Sequence, residues 1–131
     1  MKQLYIKGTK STPEVSFNPD SNILLLQGQS YPENAFKFYD QVFRWVDEYL
    51  VQLQEEALVK IDFSLPYINT SSSKCIMLLL EKFENAYKTG KKLTLNWYCN
   101  EDNESELECA EEFKEDLTFP FNILPREENN S

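Results

Sequence analysis

Histidine is absent from this 131-residue chain. Its absence removes the general base of Ser-His-Asp and Cys-His nucleophilic catalysis and any metal site with an imidazole ligand. Glycine is scarce. Gly8, Gly28 and Gly90 lie far apart, so no glycine-rich phosphate loop or flexible Gly/Ser linker fits. The cysteines, Cys75, Cys99 and Cys109, are odd in number and lack metal-like or redox-like spacing. Free thiols and a cytoplasmic location are expected. Positive charge is short as well: 13 Lys and Arg stand against 22 Asp and Glu, for a net charge of -9. That balance disfavours nucleic acid, which needs clustered cations, and docking on an anionic membrane. The longest apolar run, Cys75 to Leu80, is far shorter than the ~20 residues that span a bilayer. The opening Met-Lys-Gln-Leu-Tyr-Ile-Lys has no apolar core of signal-peptide length. No catalytic residue, metal or cofactor is expected, and no nucleic-acid partner or membrane insertion.

What is present is enough for one globular domain. Hydrophobic residues make up 41% and aromatics 14% of the chain, sufficient to bury a core. Leu4 and Ile6, then Val15 and Phe17, alternate with polar residues as in short strands. Asn18-Pro19-Asp20-Ser21 is a turn cluster, and Ile23 to Leu26 is a more continuous apolar strand. Ser30 and Glu33 have capping-box spacing ahead of a helix reaching about Leu53. Ala35, Tyr39, Val42, Val46, Tyr49, Leu50 and Leu53 form its apolar face, widened by Phe36, Phe38, Phe43 and Trp45 as core or sheet-packing residues.

Ala57 to Phe63 reads as a buried strand. A second helix follows from Thr70 to Thr89, with Gly90 as its stop. Leu93, Leu95 and Trp97 alternate in another strand. A third helix with Leu107, Ala110, Phe113 and Leu117 inward leads to a short last strand, Phe119 to Leu124. The expected architecture is α/β: one domain over residues 1–125, a mixed sheet packed with helices in the order β-β-β-α-β-α-β-α-β, and a frayed tail at 126–131.

The acidity is concentrated. Residues 101–116 carry nine acids and one lysine. A solvated helix face explains this, and so does a docking surface for a basic partner.

The segment with most chemical interest is Ile61-Asp62-Phe63-Ser64-Leu65-Pro66-Tyr67-Ile68-Asn69-Thr70-Ser71-Ser72. A buried strand ends and a hydroxyl cluster opens an amphipathic helix. Helix N-termini carry unpaired N–H groups and a positive dipole end, so a phosphate there would be well received. An ordinary N-cap at Asn69 or Thr70 accounts for the same residues. Asp62, near the end of a buried strand, needs a hydrogen-bond partner, and either a structural role or help in placing a phosphoacceptor fits. The loop Tyr31-Pro32-Glu33-Asn34 reads equally as a partner-recognition surface and as a helix-entry turn. Cys75 reads as a small core residue.

Asp62-Phe63-Ser64 followed by Tyr67-Ile68-Asn69-Thr70-Ser71 is similar to the phosphorylation motif of STAS domains of the anti-anti-sigma type. In that motif an Asp precedes the phosphorylated hydroxyl, and a glycine is usual where Ser72 stands. The chain as a whole more closely resembles the SiaC family of STAS-like regulatory phosphoproteins. The resemblance is carried by Ser11-Thr12-Pro13-Glu14-Val15, Ser30-Tyr31-Pro32-Glu33-Asn34-Ala35-Phe36, Tyr67-Ile68-Asn69-Thr70-Ser71-Ser72, Leu95-Asn96-Trp97-Tyr98 and Glu112-Phe113-Lys114-Glu115-Asp116-Leu117. It implies a threonine switch at Thr70, with Asp62, Asn69, Ser71 and Ser72 around it. A protein kinase would set the switch and a PPM-type phosphatase would reset it. The unphosphorylated form would bind and regulate an effector such as a diguanylate cyclase. The alternative is a STAS-like module that binds a small ligand or a protein without being phosphorylated.

Overall fold

The computed structural model describes residues 1–126. Its elements follow the expected order: β1 (Leu4–Ile6), β2 (Glu14–Asn18), β3 (Ile23–Gln27), α1 (Ala35–Gln52), β4 (Leu58–Ser64), α2 (Thr70–Lys88), β5 (Lys92–Cys99), α3 (Glu104–Lys114) and β6 (Phe121–Pro125). They build a six-stranded sheet whose spatial order equals the sequence order. β1, β2 and β3 pair antiparallel, and β3 to β6 run parallel. The β2–β3 turn is closed by the Asn18 side chain, which accepts from the Asp20 N–H at 2.9 Å, and by Asn22 at φ 59°.

The strand order decides where the helices go. Parallel crossovers are right-handed, and here each one advances the sheet in the same direction. All three helices therefore fall on one face. Val15, Phe17, Leu24, Leu26, Ile61, Phe63, Leu95 and Trp97 point to that face and are buried. Residues of the other parity, such as Ser16, Leu25, Asp62 and Asn96, are only half-buried on a helix-free face. The helix N-termini all gather at the carboxyl end of the parallel strands.

Each helix begins at an asparagine. Asn34, Asn69 and Asn103 accept at Oδ1 from the N–H groups of Lys37, Ser72 and Glu106, at 3.1, 2.8 and 3.1 Å. This corrects the start of α1. Ser30 with Glu33 does not form its capping box; Asn34 is the cap, because Ser30 is drawn away into a bridge with Ile68. Phe36, expected to widen the apolar face, is 51% exposed in the first turn. Leu117 lies beyond the end of α3 and is half-buried.

Two polar anchors tie the outer elements down. Glu84, buried on α2, accepts from the Thr118 N–H and hydroxyl and from the Phe119 N–H at 2.8, 2.8 and 3.3 Å. Burial pushes its carboxyl up, but these bonds and Lys88 outweigh burial and hold it below the usual carboxylate range. Arg126, assigned to the tail by the sequence pattern, donates its N–H to the Cys99 carbonyl at 2.9 Å and its Nε to the Ser64 hydroxyl at 3.0 Å. It also pairs with Glu106 of α3. The rest of the expected tail, 127–131, lies outside the described residues.

Candidate functional site

The site is built on the loop between β4 and α2. Asn69 is extended, at φ -76° and ψ 171°, and its carboxamide takes the N–H of Ser72. Thr70 is the first helical residue. Thr70 and Ser71 are both exposed. With Ser72 served by the cap, the N–H groups of Thr70 and Ser71 are the ones helix geometry leaves without an intrahelical acceptor. An exposed hydroxyl thus stands beside donors at the positive end of a 19-residue helix. Lys74 lies one turn further along, also exposed.

Ser72 turns the other way and is fully buried. Its hydroxyl accepts from the Ser30 hydroxyl at 2.7 Å, and Ser30 Oγ lies 2.7 Å from the Tyr39 hydroxyl. Ser30 gives its one proton to Ser72, so Tyr39 donates to Ser30. Burial pushes the Tyr39 hydroxyl far above the usual tyrosine range, so it stays a protonated donor. Backbone bonds run alongside: Ser30 N–H to the Tyr67 carbonyl at 2.8 Å, and Asn69 N–H to the Ser30 carbonyl at 2.9 Å. Ser30 and Tyr39 thus hold the start of α2 against α1. Spacing suggested a cap for the first and a core residue for the second. The signal for Ser30 was a hydroxyl preceding the recognition loop, and nothing local pointed to a partner 42 residues away.

The predicted recognition loop lies against the same segment. The Tyr31 and Tyr67 rings meet edge to face at 5.8 Å, and Tyr67 is 54% exposed. Tyr31 N–H donates to the Ser11 carbonyl at 2.8 Å, which brings in the Ser11-Thr12-Pro13 turn. Pro32 is half-buried, and Glu33 and Asn34 are exposed. Of the predicted site residues, Asn69, Thr70, Ser71, Ser72 and the Tyr31–Asn34 loop are brought to one end of the sheet. Asp62 is not part of that rim. It sits on the helix-free face, where Asn96 donates to it at 3.2 Å and Lys60 lies 3.5 Å away.

Beneath the loop is a cavity of about 280 Å³, lined by Leu65, Ile68, Trp97, Ser105 and Cys109 among others. The Trp97 indole N–H, buried, has no hydrogen-bond partner among the described residues. Burial pushes the thiols of Cys75, Cys99 and Cys109 up, away from the thiolate a nucleophile needs. Among the described residues no cluster of acids and cysteines could hold a metal ion, and no helix is long and apolar enough to cross a membrane.

The arrangement, an exposed threonine opening a braced helix beside an aromatic rim, suits modification and protein recognition. The family model described as SiaC family regulatory phosphoprotein matches residues 6–126. The chain belongs to this family. An uncharacterized protein of Pseudomonas aeruginosa (strain UCBPP-PA14) is 40% identical over 128 residues, covering 98% of this chain and 100% of that one. The fold is that of SiaC. The crystal structure of apo-SiaC from Pseudomonas aeruginosa superposes with a TM-score of 0.88 at 39% identity, over 95% of this chain and 99% of that one. A similar SiaC chain, TM-score 0.88 and 39% identity over 94% of this chain and 99% of that one, is found in a crystal structure of the Pseudomonas aeruginosa diguanylate cyclase SiaD in complex with its activator SiaC. Within the SiaC family framework, the exposed hydroxyls of Thr70 and Ser71 open the second helix, and the Tyr31–Tyr67 pair flanks their loop.

Proposed function

We propose that this chain is a phosphorylation-switched signalling protein of the cytoplasm with no catalytic role of its own. Thr70 is the phosphoacceptor. A protein kinase modifies it, a PPM-type phosphatase resets it, and the unphosphorylated form binds and regulates an effector such as a diguanylate cyclase. The observation that carries this reading is the exposed Thr70 hydroxyl at the first position of α2. Asn69 fixes the helix start and Ser72 anchors it, while Ser71 is the neighbouring exposed hydroxyl. Asp62 acts at one remove, through the strand that delivers the loop. Tyr31, Pro32, Glu33 and Asn34, with Tyr67, form the surface a partner reads.

Phosphate at Thr70 adds about -1.5 to -2 charges at neutral pH. The helix dipole favours that charge by roughly 0.3–1 kcal/mol, so the fold is retained. The consequence falls on the interface, where a hydrated dianion replaces a hydroxyl beside the aromatic rim. Intact mass of protein purified from its own cells, before and after phosphatase treatment, tests the reading. One phosphate is expected, and it should be missing from Thr70→Ala. A second reading, binding without modification, has the cavity under the loop in its favour. An unmodified mass under every growth condition would support that reading.

A further inference from the structure

Among the described residues the sheet ends on one side in β6, and the ladder shows which of its backbone groups are left without a partner there. The Pro120 carbonyl accepts from the Leu95 N–H, and the Arg126 N–H donates to the Cys99 carbonyl, both at 2.9 Å. Backbone groups of successive strand residues point to opposite sides. The even-numbered residues of β6 therefore face β5, and the N–H and C=O groups of Phe121 and Ile123 face outward from the outermost described strand. Such a row is a template for another extended chain. Pro125 has no N–H and closes the usable edge after a few residues.

A groove of about 620 Å³ runs beside this edge. Leu117 and Ile123 supply its apolar part, and Glu108, Glu111, Glu112 and Glu115 of α3 and its C-cap its acidic wall, with Lys114 as the one cation on the lining. The four glutamates are three and four residues apart, so they form one stripe whose like charges weaken the helix. Among the described residues none of the four makes an ion pair. α3 is seated by Ala110 and Phe113 instead. Ile123 is half-buried and paired in register with Trp97, so its side chain lies on the helix-covered side, level with that stripe.

We propose that the β6 edge and this groove form a second docking surface, which takes an extended basic segment of a partner protein. The segment adds to β6 as a further strand. Its alternate Lys or Arg side chains point to the helix-covered side, where their methylene stems contact Ile123 and Leu117 and their charged ends reach the α3 carboxylates; the residues between them face the helix-free side. Strand addition supplies affinity through the backbone, and charge selects the partner. The surface is separate from Thr70, which follows β4, two strands inward. Binding here should be indifferent to the state of Thr70.

The test uses the full chain and a fluorescent eight-residue peptide of alternating Lys and Val at low salt. A second peptide carries Pro at every Val position and has equal charge. The Lys-Val peptide should bind, weaken steeply with added salt, and shift the amide resonances of Phe121 and Ile123. The Pro peptide should bind at least tenfold more weakly. Glu108→Lys combined with Glu111→Lys and Glu115→Lys should weaken the Lys-Val peptide at least tenfold, with a cooperative thermal melt at or above the parent's showing that the variant is folded. Thr70→Glu should leave the affinity unchanged. Equal binding of the two peptides would reduce the stripe to a non-specific cation surface and overturn the proposal. So would no binding, or shifts confined to other strands.

Discussion

Thr70 and Ser72 stand two residues apart on the same helical turn and have opposite fates. Thr70 faces solvent, whereas Ser72 is buried and hydrogen-bonded to Ser30. On the proposed reading, this separates the phosphoacceptor from the residue that positions it. Thr70→Asp and Thr70→Glu are expected to keep near-native melting temperatures, because a negative charge suits the helix N-terminus. Both should lose the effector, while Thr70→Ala keeps it. Thermal melts with titration calorimetry check this, and full-strength effector binding by the acidic variants would remove Thr70 from the interface. Ser30→Ala removes the hydroxyl that links Tyr39 to Ser72 and leaves two buried groups short of a partner. It should cost about 1–3 kcal/mol in chemical denaturation. A loss near zero would mean that the buried hydroxyl chain does not brace the helix. The exposed helix start at Thr70 was legible from the sequence because a hydroxyl run before an apolar stripe is a local pattern, whereas the phosphoacceptor role proposed for it rests on the family resemblance. Ser30 was not legible, because its bonds are made to residues distant in sequence.

At the level of elements, the asparagine caps set where the helices begin. Asn69→Ala should destabilise the protein by about 1 kcal/mol, within the 0.5–2 kcal/mol range for such caps, and increase amide exchange at Ser72, whose N–H the Asn69 side chain holds. Unchanged exchange there would show that the Ser30 bridge alone fixes the helix start. Glu84 joins α2 to the segment leading into β6. Its carboxyl is lowered in the folded state, so its stabilisation is complete above the ordinary glutamate value of about 4.3. It is lost as pH falls through the lower folded value. Unfolding free energy measured from pH 7 to pH 3 should therefore fall on the acid side, and fall less steeply in Glu84→Gln. Identical slopes would mean that Glu84 does not contribute to the acid limb. The sequence pattern placed the helices and strands in their observed order, since their periods of 3.6 and 2 are strong local signals. It misjudged Phe36 and the cap of α1, where the deciding contact is the bridge between Ser30 and Ile68.

Charge acts on the scale of the whole molecule. A net charge of -9, mostly within residues 101–116, makes the folded state repel itself. Added sodium chloride screens that repulsion, so the melting temperature should rise between low salt and about 0.15 M, where the Debye length is near 8 Å. A fall would mean that favourable ion pairs outweigh the repulsion. The sequence by itself determined a single α/β domain, the element order, the missing histidine chemistry and the exposed helix start at Thr70. Each of these depends on composition or on contacts within a few residues. Tertiary structure alone decided that all three helices share one sheet face, that Asp62 lies on the other, that Ser30, Tyr39 and Ser72 form one buried chain, and that α3's glutamates flank β6, the outermost described strand. These follow from strand order and crossover handedness, which bring together residues far apart in the chain and leave no periodic trace in it.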